Sequence, residues 1–126
     1  MISDADKEWL SARGFEYEVI PEGGMTSLIV KAYRLPAGYS HAEVDLLVRL
    51  PAGFPDAAPD MFWVDPRITL ASGAEAPASN VYETHVGRQW QRFSRHLAGG
   101  AWRPGIDSLE SWILTIRHLL ERDVPA

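Results

Sequence analysis

The chain has 126 residues, 46% of them hydrophobic and 23% charged, which predicts one globular domain over residues 1–126 with enough length to bury a core. A formal net charge of −5 argues against generic binding to nucleic acid or to an anionic membrane. The absence of cysteine excludes disulfides, thiolate metal sites and cysteine catalysis.

The opening "MISDADKEWL" is acidic and polar, unlike a signal or transit peptide. No apolar run approaches the roughly 18 residues of a membrane span. A bacterial-type cytoplasmic protein is the expectation. Residues 4–13, "DADKEWLSAR", predict a short helix with Trp9 and Leu10 on its apolar side, ended by Gly14. "FEYEVI" (15–20) alternates like a strand, "PEGG" (21–24) supplies turn chemistry, and "MTSLIVKAYRL" (25–35) is rich in β-formers. "PAGYS" turns the chain into "HAEVDLLVRL" (41–50), a third strand, and "MFWV" (61–64) is a short fourth. Residues 65–90 show no clear period, and "LASGAEAPASN" (70–80) reads as an irregular excursion, functional or disordered. Asp107 with Glu110 three positions on suggests a capping box. Leu109, Trp112, Ile113, Ile116, Leu119 and Leu120 then mark one face of a long helix, with Arg117, His118 and Arg122 toward its C-terminal end. The order is α-β-β-β-β, long loop, α. It predicts an α+β fold in which helices pack on a four-stranded antiparallel meander.

Two passages carry more than fold information. In "LPAGFPDAAPDMFWVDP" (50–66), prolines at 51, 55 and 59 fix the chain as an extended turn between strands. Residues 85–103 hold Arg88, Arg92, Arg95 and Arg103 with no acid, a basic stretch in an acidic chain. The plain reading of the first is a rigid crossover, and of the second a solvated loop.

Together the passages resemble the ubiquitin-conjugating enzyme (UBC) superfamily. Leu50-Pro51, Phe54-Pro55, Pro59, Met61 and Trp63 fall without a gap on the phrase F-P-x-x-Y-P-x-x-P-P-x-V-x-F that follows the third strand in that superfamily. Ala58 stands for the first proline of the pair, and Ala58–Pro59 is a candidate cis bond. Trp102-Arg103-Pro104 matches a second block, where the catalytic residue lies eight positions before the Trp; here that position is Ser94. The Ser94-Arg95-His96 string, the long insert and the short C-terminal part are similar to a bacterial subgroup, prokaryotic family E. The resemblance implies a UBC-like fold and a role in a bacterial ubiquitin-like modification system. It implies as partners a ubiquitin-like protein and a ubiquitin-activating-type (ThiF-like) adenylating enzyme, and it calls for no cofactor. Pro55, Pro59, Trp102 and Pro104 would be structural.

The departures shape the chemistry. The catalytic cysteine is absent, and "VDPRITLAS" occupies the region of the family's His-Pro-Asn motif, so no oxyanion donor is assigned. A serine hydroxyl is a weak nucleophile unless a base takes its proton. His96 is the nearest imidazole, on the same side as Ser94 if the segment is extended; His85, in the irregular stretch, is the alternative base. Asp65, Glu83 or Asp107 would orient it. Arg88, Arg92 and Arg95 would stabilise a developing oxyanion or hold a C-terminal carboxylate. The competing reading is an inactive UBC variant that binds a ubiquitin-like protein or its activating enzyme. A Ser-His hydrolase is disfavoured because no nucleophile elbow surrounds Ser94. The four histidines lack metal-ligand spacing, so no metal is expected.

Overall fold

A computed structural model describes residues 2–125. Its elements run α1 (Asp4–Ala12), β1 (Glu16–Glu22), β2 (Met25–Arg34), β3 (Glu43–Leu50), β4 (Phe62–Asp65), β5 (Val81–His85), β6 (Arg88–Phe93) and α2 (Leu109–Asp123). The strands form one antiparallel sheet in the order β1-β2-β3-β4-β6-β5. The α+β layout and the first four strands stand as the sequence predicts, but the sheet has six strands, not four. β5 and the start of β6 fall within 65–90, the stretch that shows no apolar period. Their alternation is masked because Glu83, His85, Arg88 and Arg92 occupy positions where a half-buried strand normally shows apolar side chains.

One face of the sheet carries the main core. Leu28, Leu46, Phe62 and Phe93 meet Trp112 and Ile116 of α2, all of them fully buried, with Leu10 reaching in from α1. Each such side chain contributes about 1.5–3 kcal/mol by leaving water. The Phe62 and Phe93 rings stack with centroids 4.8 Å apart, so paired strands β4 and β6 also lock through their side chains. Helix α2 begins one residue later than expected. Ser108 is its N-cap and Ser111 completes a reciprocal box, each side chain bonding the other's backbone N–H. Asp107 instead accepts the Arg103 N–H at 2.7 Å, closing the turn before the helix.

The opposite face holds a smaller cluster of Ile29, Leu47, Trp63 and Trp90, flanked by Ile20, Met61 and Val86. Closure here comes from curvature of the sheet. The β5–β6 connection is a two-residue turn with positive φ at Val86 and Gly87, the geometry that suits strand twist in a tight hairpin. Its tip bends back until the Val86 N–H donates to Glu22 on β1 at 3.0 Å, so the two edge strands meet at one corner.

The stretch 66–80, irregular by sequence, is tied to the sheet in large part by one buried side chain. Buried Gln91 accepts from the Ile68 N–H at 2.8 Å and donates to the carbonyls of Ile68 (3.1 Å) and Ser79 (2.9 Å). A glutamine at a core-facing strand position thereby replaces missing ladder partners and satisfies backbone groups that burial would otherwise leave unpaired. Among the described residues, no helix is long and apolar enough to cross a membrane.

Candidate functional site

The geometry around Ser94 follows from where β6 stops. Arg88, Trp90 and Arg92 point to the face with the smaller cluster, and Gln91 and Phe93 to the helix-covered face. At Ser94 the alternation ends, because the Arg95 N–H bonds the Phe93 carbonyl at 2.8 Å in a three-residue turn. The Ser94 N–H goes to the Ala78 carbonyl, also at 2.8 Å. This turn removes the extended geometry that would set Ser94 and His96 side by side. Among the described residues, neither His96 nor His85 bonds the Ser94 hydroxyl.

Ser94 does have a charged neighbour. Its half-buried Oγ accepts a hydrogen bond from Arg92 Nε at 2.9 Å. The guanidinium is held from its other side, since Arg92 also donates to Glu83 Oε2 at 2.7 Å. Glu83 gathers three donors: Arg92, the Trp63 indole N–H at 2.9 Å and His85 Nε2 at 3.1 Å. Burial pushes the Glu83 carboxyl up, but hydrogen bonds from His85 and Trp63 and the charge of Arg92 outweigh it, and the net shift is downward. A carboxylate so fixed aims Arg92 Nε–H at the serine oxygen. A cationic donor on that oxygen favours its alkoxide form and lowers the cost of losing the hydroxyl proton.

The histidines each have their own carboxylate. His96 Nδ1 lies 2.6 Å from Asp60 Oδ1, both side chains more than half exposed. His85 sits edge-on to the Trp63 ring, 5.3 Å between centroids, bonded to Glu83 and 3.8 Å from Glu22. Glu83 thus orients His85, as the sequence allows, whereas the orienting acid for His96 is Asp60, which sequence reasoning missed. Asp60 sits inside the proline passage, where its neighbours pointed only to backbone rigidity.

Arg88 and Arg95 are occupied elsewhere. Arg88 stacks over the Trp90 ring at 4.3 Å and bonds Asp65 and Asp45. Arg95 reaches Asp123 on α2. The basic stretch is therefore neutralised by acids from β3, β4, β5 and α2, and of its three candidate arginines only Arg92 touches Ser94. Asp65 accordingly serves Arg88, and Asp107 serves the turn before α2.

The proline and tryptophan passages meet in space. The Trp102 indole donates to the Pro55 carbonyl at 2.9 Å, and its ring lies 6.1 Å from that of Phe54. Pro59 is buried and Pro104 exposed. The cis bonds are Phe54–Pro55 and Asp65–Pro66, which corrects the expectation at Ala58–Pro59. Two grooves flank this junction. One, about 360 Å³, runs past Met61, Trp63, Glu83 and His85; the other, about 290 Å³, is lined by Leu97, Gly99, Gly100 and Trp102. Both include Ala58 and Asp60, so they adjoin at the Asp60–His96 pair. Ser94 is linked to the first groove through Arg92 and Glu83. Among the described residues, no His, Asp and Glu side chains group to hold a metal ion.

The profile of prokaryotic E2 family E matches residues 2–123. The chain belongs to this family. Comparisons with curated proteins and with solved structures gave no match. Family membership puts this E2-like chain in the context of ubiquitin-like protein conjugation.

Proposed function

We propose that this family E member accepts the activated C-terminus of a ubiquitin-like protein on Ser94 as an oxygen ester and passes it to an amine. A ThiF-like adenylating enzyme would supply the activated acyl group. Ser94 Oγ attacks the acyl carbon, the new C–O bond replaces the bond to the activating group, and the hydroxyl proton leaves to a base. In the second step the amine nitrogen attacks the ester carbonyl, the C–Oγ bond breaks, and the oxygen regains a proton.

The observation that carries this reading is the 2.9 Å hydrogen bond from Arg92, braced by Glu83, to the hydroxyl of a partly buried serine. The adjoining grooves, one of them lined by the Glu83 that braces Arg92, would take an extended chain. With Asp60 paired to Nδ1 of His96, Nε2 would be the nitrogen that takes a proton from the serine or from the incoming amine. A second reading, an inactive module that binds a ubiquitin-like protein or its activating enzyme, draws support from the same region. Neither histidine touches Ser94, so among the described residues no base is in contact with the hydroxyl.

Incubation with the activating enzyme, a ubiquitin-like protein and ATP separates the two. Wild type should form an adduct that survives mild thiol and is cleaved by hydroxylamine, Ser94→Ala none, and Ser94→Cys a thiol-sensitive one. Arg92→Ala should slow loading about a hundredfold, the scale typical of losing one positioned donor. Equal adducts on wild type and Ser94→Ala, or none on wild type and Ser94→Cys, would leave the binding module as the function.

A further inference from the structure

A second cavity shares no residue with the Ser94 region. It lies between α1, α2 and the ends of β1 and β2, with a volume of about 320 Å³. Trp9, Phe15 and Tyr33 form its aromatic wall, with ring centroids 6.1 Å and 6.3 Å apart along the series. Ile113 and partly exposed Leu114 of α2 close the opposite side. Three arginines line it as well: Arg13, Arg34 and Arg117.

Three guanidinium groups gather at this one apolar cavity. The chain has 17 acidic and 12 basic residues, yet among the described residues Arg13 and Arg34 have no carboxylate partner. Arg13 instead lies over the Trp9 ring at 5.4 Å. Arg117 donates to the Arg34 carbonyl at 2.7 Å and is 3.7 Å from Glu121, which keeps it at the cavity. The Tyr33 hydroxyl is buried beside Arg117, short of a well-formed hydrogen bond. Burial pushes its pKa up, with Arg117 opposing, so it remains a neutral donor at physiological pH.

Aromatic walls and two guanidinium groups without a carboxylate partner together suit one ligand chemistry. We infer that this cavity binds a small amphipathic anion, an aromatic or branched apolar group bearing a carboxylate. The apolar part would fill the space between Phe15 and Leu114, and the carboxylate would accept from Arg13 or Arg34. The volume lies at the lower end for small-molecule sites, enough for one ring and a short acidic chain. Such a group is available as a free aryl or alkyl acid, or as the terminal residue of a peptide.

Titration of ¹⁵N-labelled full-length protein with 3-phenylpropionate, 3-phenylpropanol and acetate tests the inference. 3-Phenylpropionate should shift amide signals around Trp9, Phe15, Tyr33 and Leu114, and bind at least tenfold more tightly than either the alcohol or acetate. The double variant Arg13→Gln/Arg34→Gln, altered only at exposed side chains, should abolish the preference for the acid over the alcohol. A short peptide ending in Phe, with a free or an amidated C-terminus, identifies the source. Tighter binding of the free-ended peptide than of 3-phenylpropionate assigns the site to a chain end, and the reverse order to a free acid. No shifts at these residues with any acid, or an unchanged preference in the double variant, would overturn the inference.

Discussion

Arg95 and His96 are neighbours in the chain, and each is paired with one carboxylate, but the two pairs lie in different media. Asp123, the partner of Arg95, has a side chain only 7% exposed, whereas Asp60, the partner of His96, is 56% exposed. The first pair fastens the base of the Ser94–Gly100 segment to the end of α2. The second lies in water, where attraction is screened and the geometry is easily exchanged. Sequence alone makes the four arginines look like one basic surface. Burial divides them into supports and a single contact with the serine, and it leaves the imidazole as the part of the segment able to change partners.

Removing the carboxylates in order of exposure tests that contrast. Asp123→Ala leaves a largely buried guanidinium uncompensated, and should cost about 3 kcal/mol in urea unfolding. Arg95→Met in the same chain should restore part of the loss, because the stranded charge is gone; a cost below about 1 kcal/mol for Asp123→Ala would mean the pair behaves as a surface one. Glu83, 31% exposed, is intermediate, and Glu83→Gln should cost about 1–2 kcal/mol near neutral pH. Its folded carboxyl titrates below the ordinary 4.5, so its contribution is complete above that pH and fades as pH falls through the lower folded value. Denaturation midpoints of wild type and Glu83→Gln should therefore converge in acid; a constant gap would assign the effect to packing. Asp60→Asn should change stability by less than about 0.5 kcal/mol, while slowing amine transfer from loaded Ser94 by about tenfold. A stability loss equal to that of Asp123→Ala would erase the difference between the two pairs.

Much of the scaffold was readable from pattern. The apolar spacing from Leu109 to Leu120 gives α2 and its buried face, apart from partly buried Leu119, and Gly23-Gly24 closes the first hairpin with positive φ at both positions. The proline and tryptophan blocks pointed to passages that meet in space through Trp102 and Pro55. What was hidden depended on partners distant in sequence. Strands β5 and β6 place charges on a face that becomes crowded only when the sheet curls, so their composition resembles a loop. The capping residue of α2 differed by one position because Asp107 had an alternative acceptor role in the preceding turn. The serine–imidazole contact failed for a local reason, a backbone turn at Ser94 that no side-chain pattern announces.

The bond from Val86 to Glu22 also bears on how molecules meet one another. Strand β1 lies at a sheet margin, the kind of edge to which an approaching chain adds by backbone pairing. Its outer surface carries exposed Glu16 and Glu18, Pro21 has no N–H to offer, and the far corner is already taken by the hairpin tip. A neighbouring copy would have to desolvate like charges and break that corner before gaining a single ladder. Crowded solutions of this protein should accordingly resist fibre-like growth from the β1 margin.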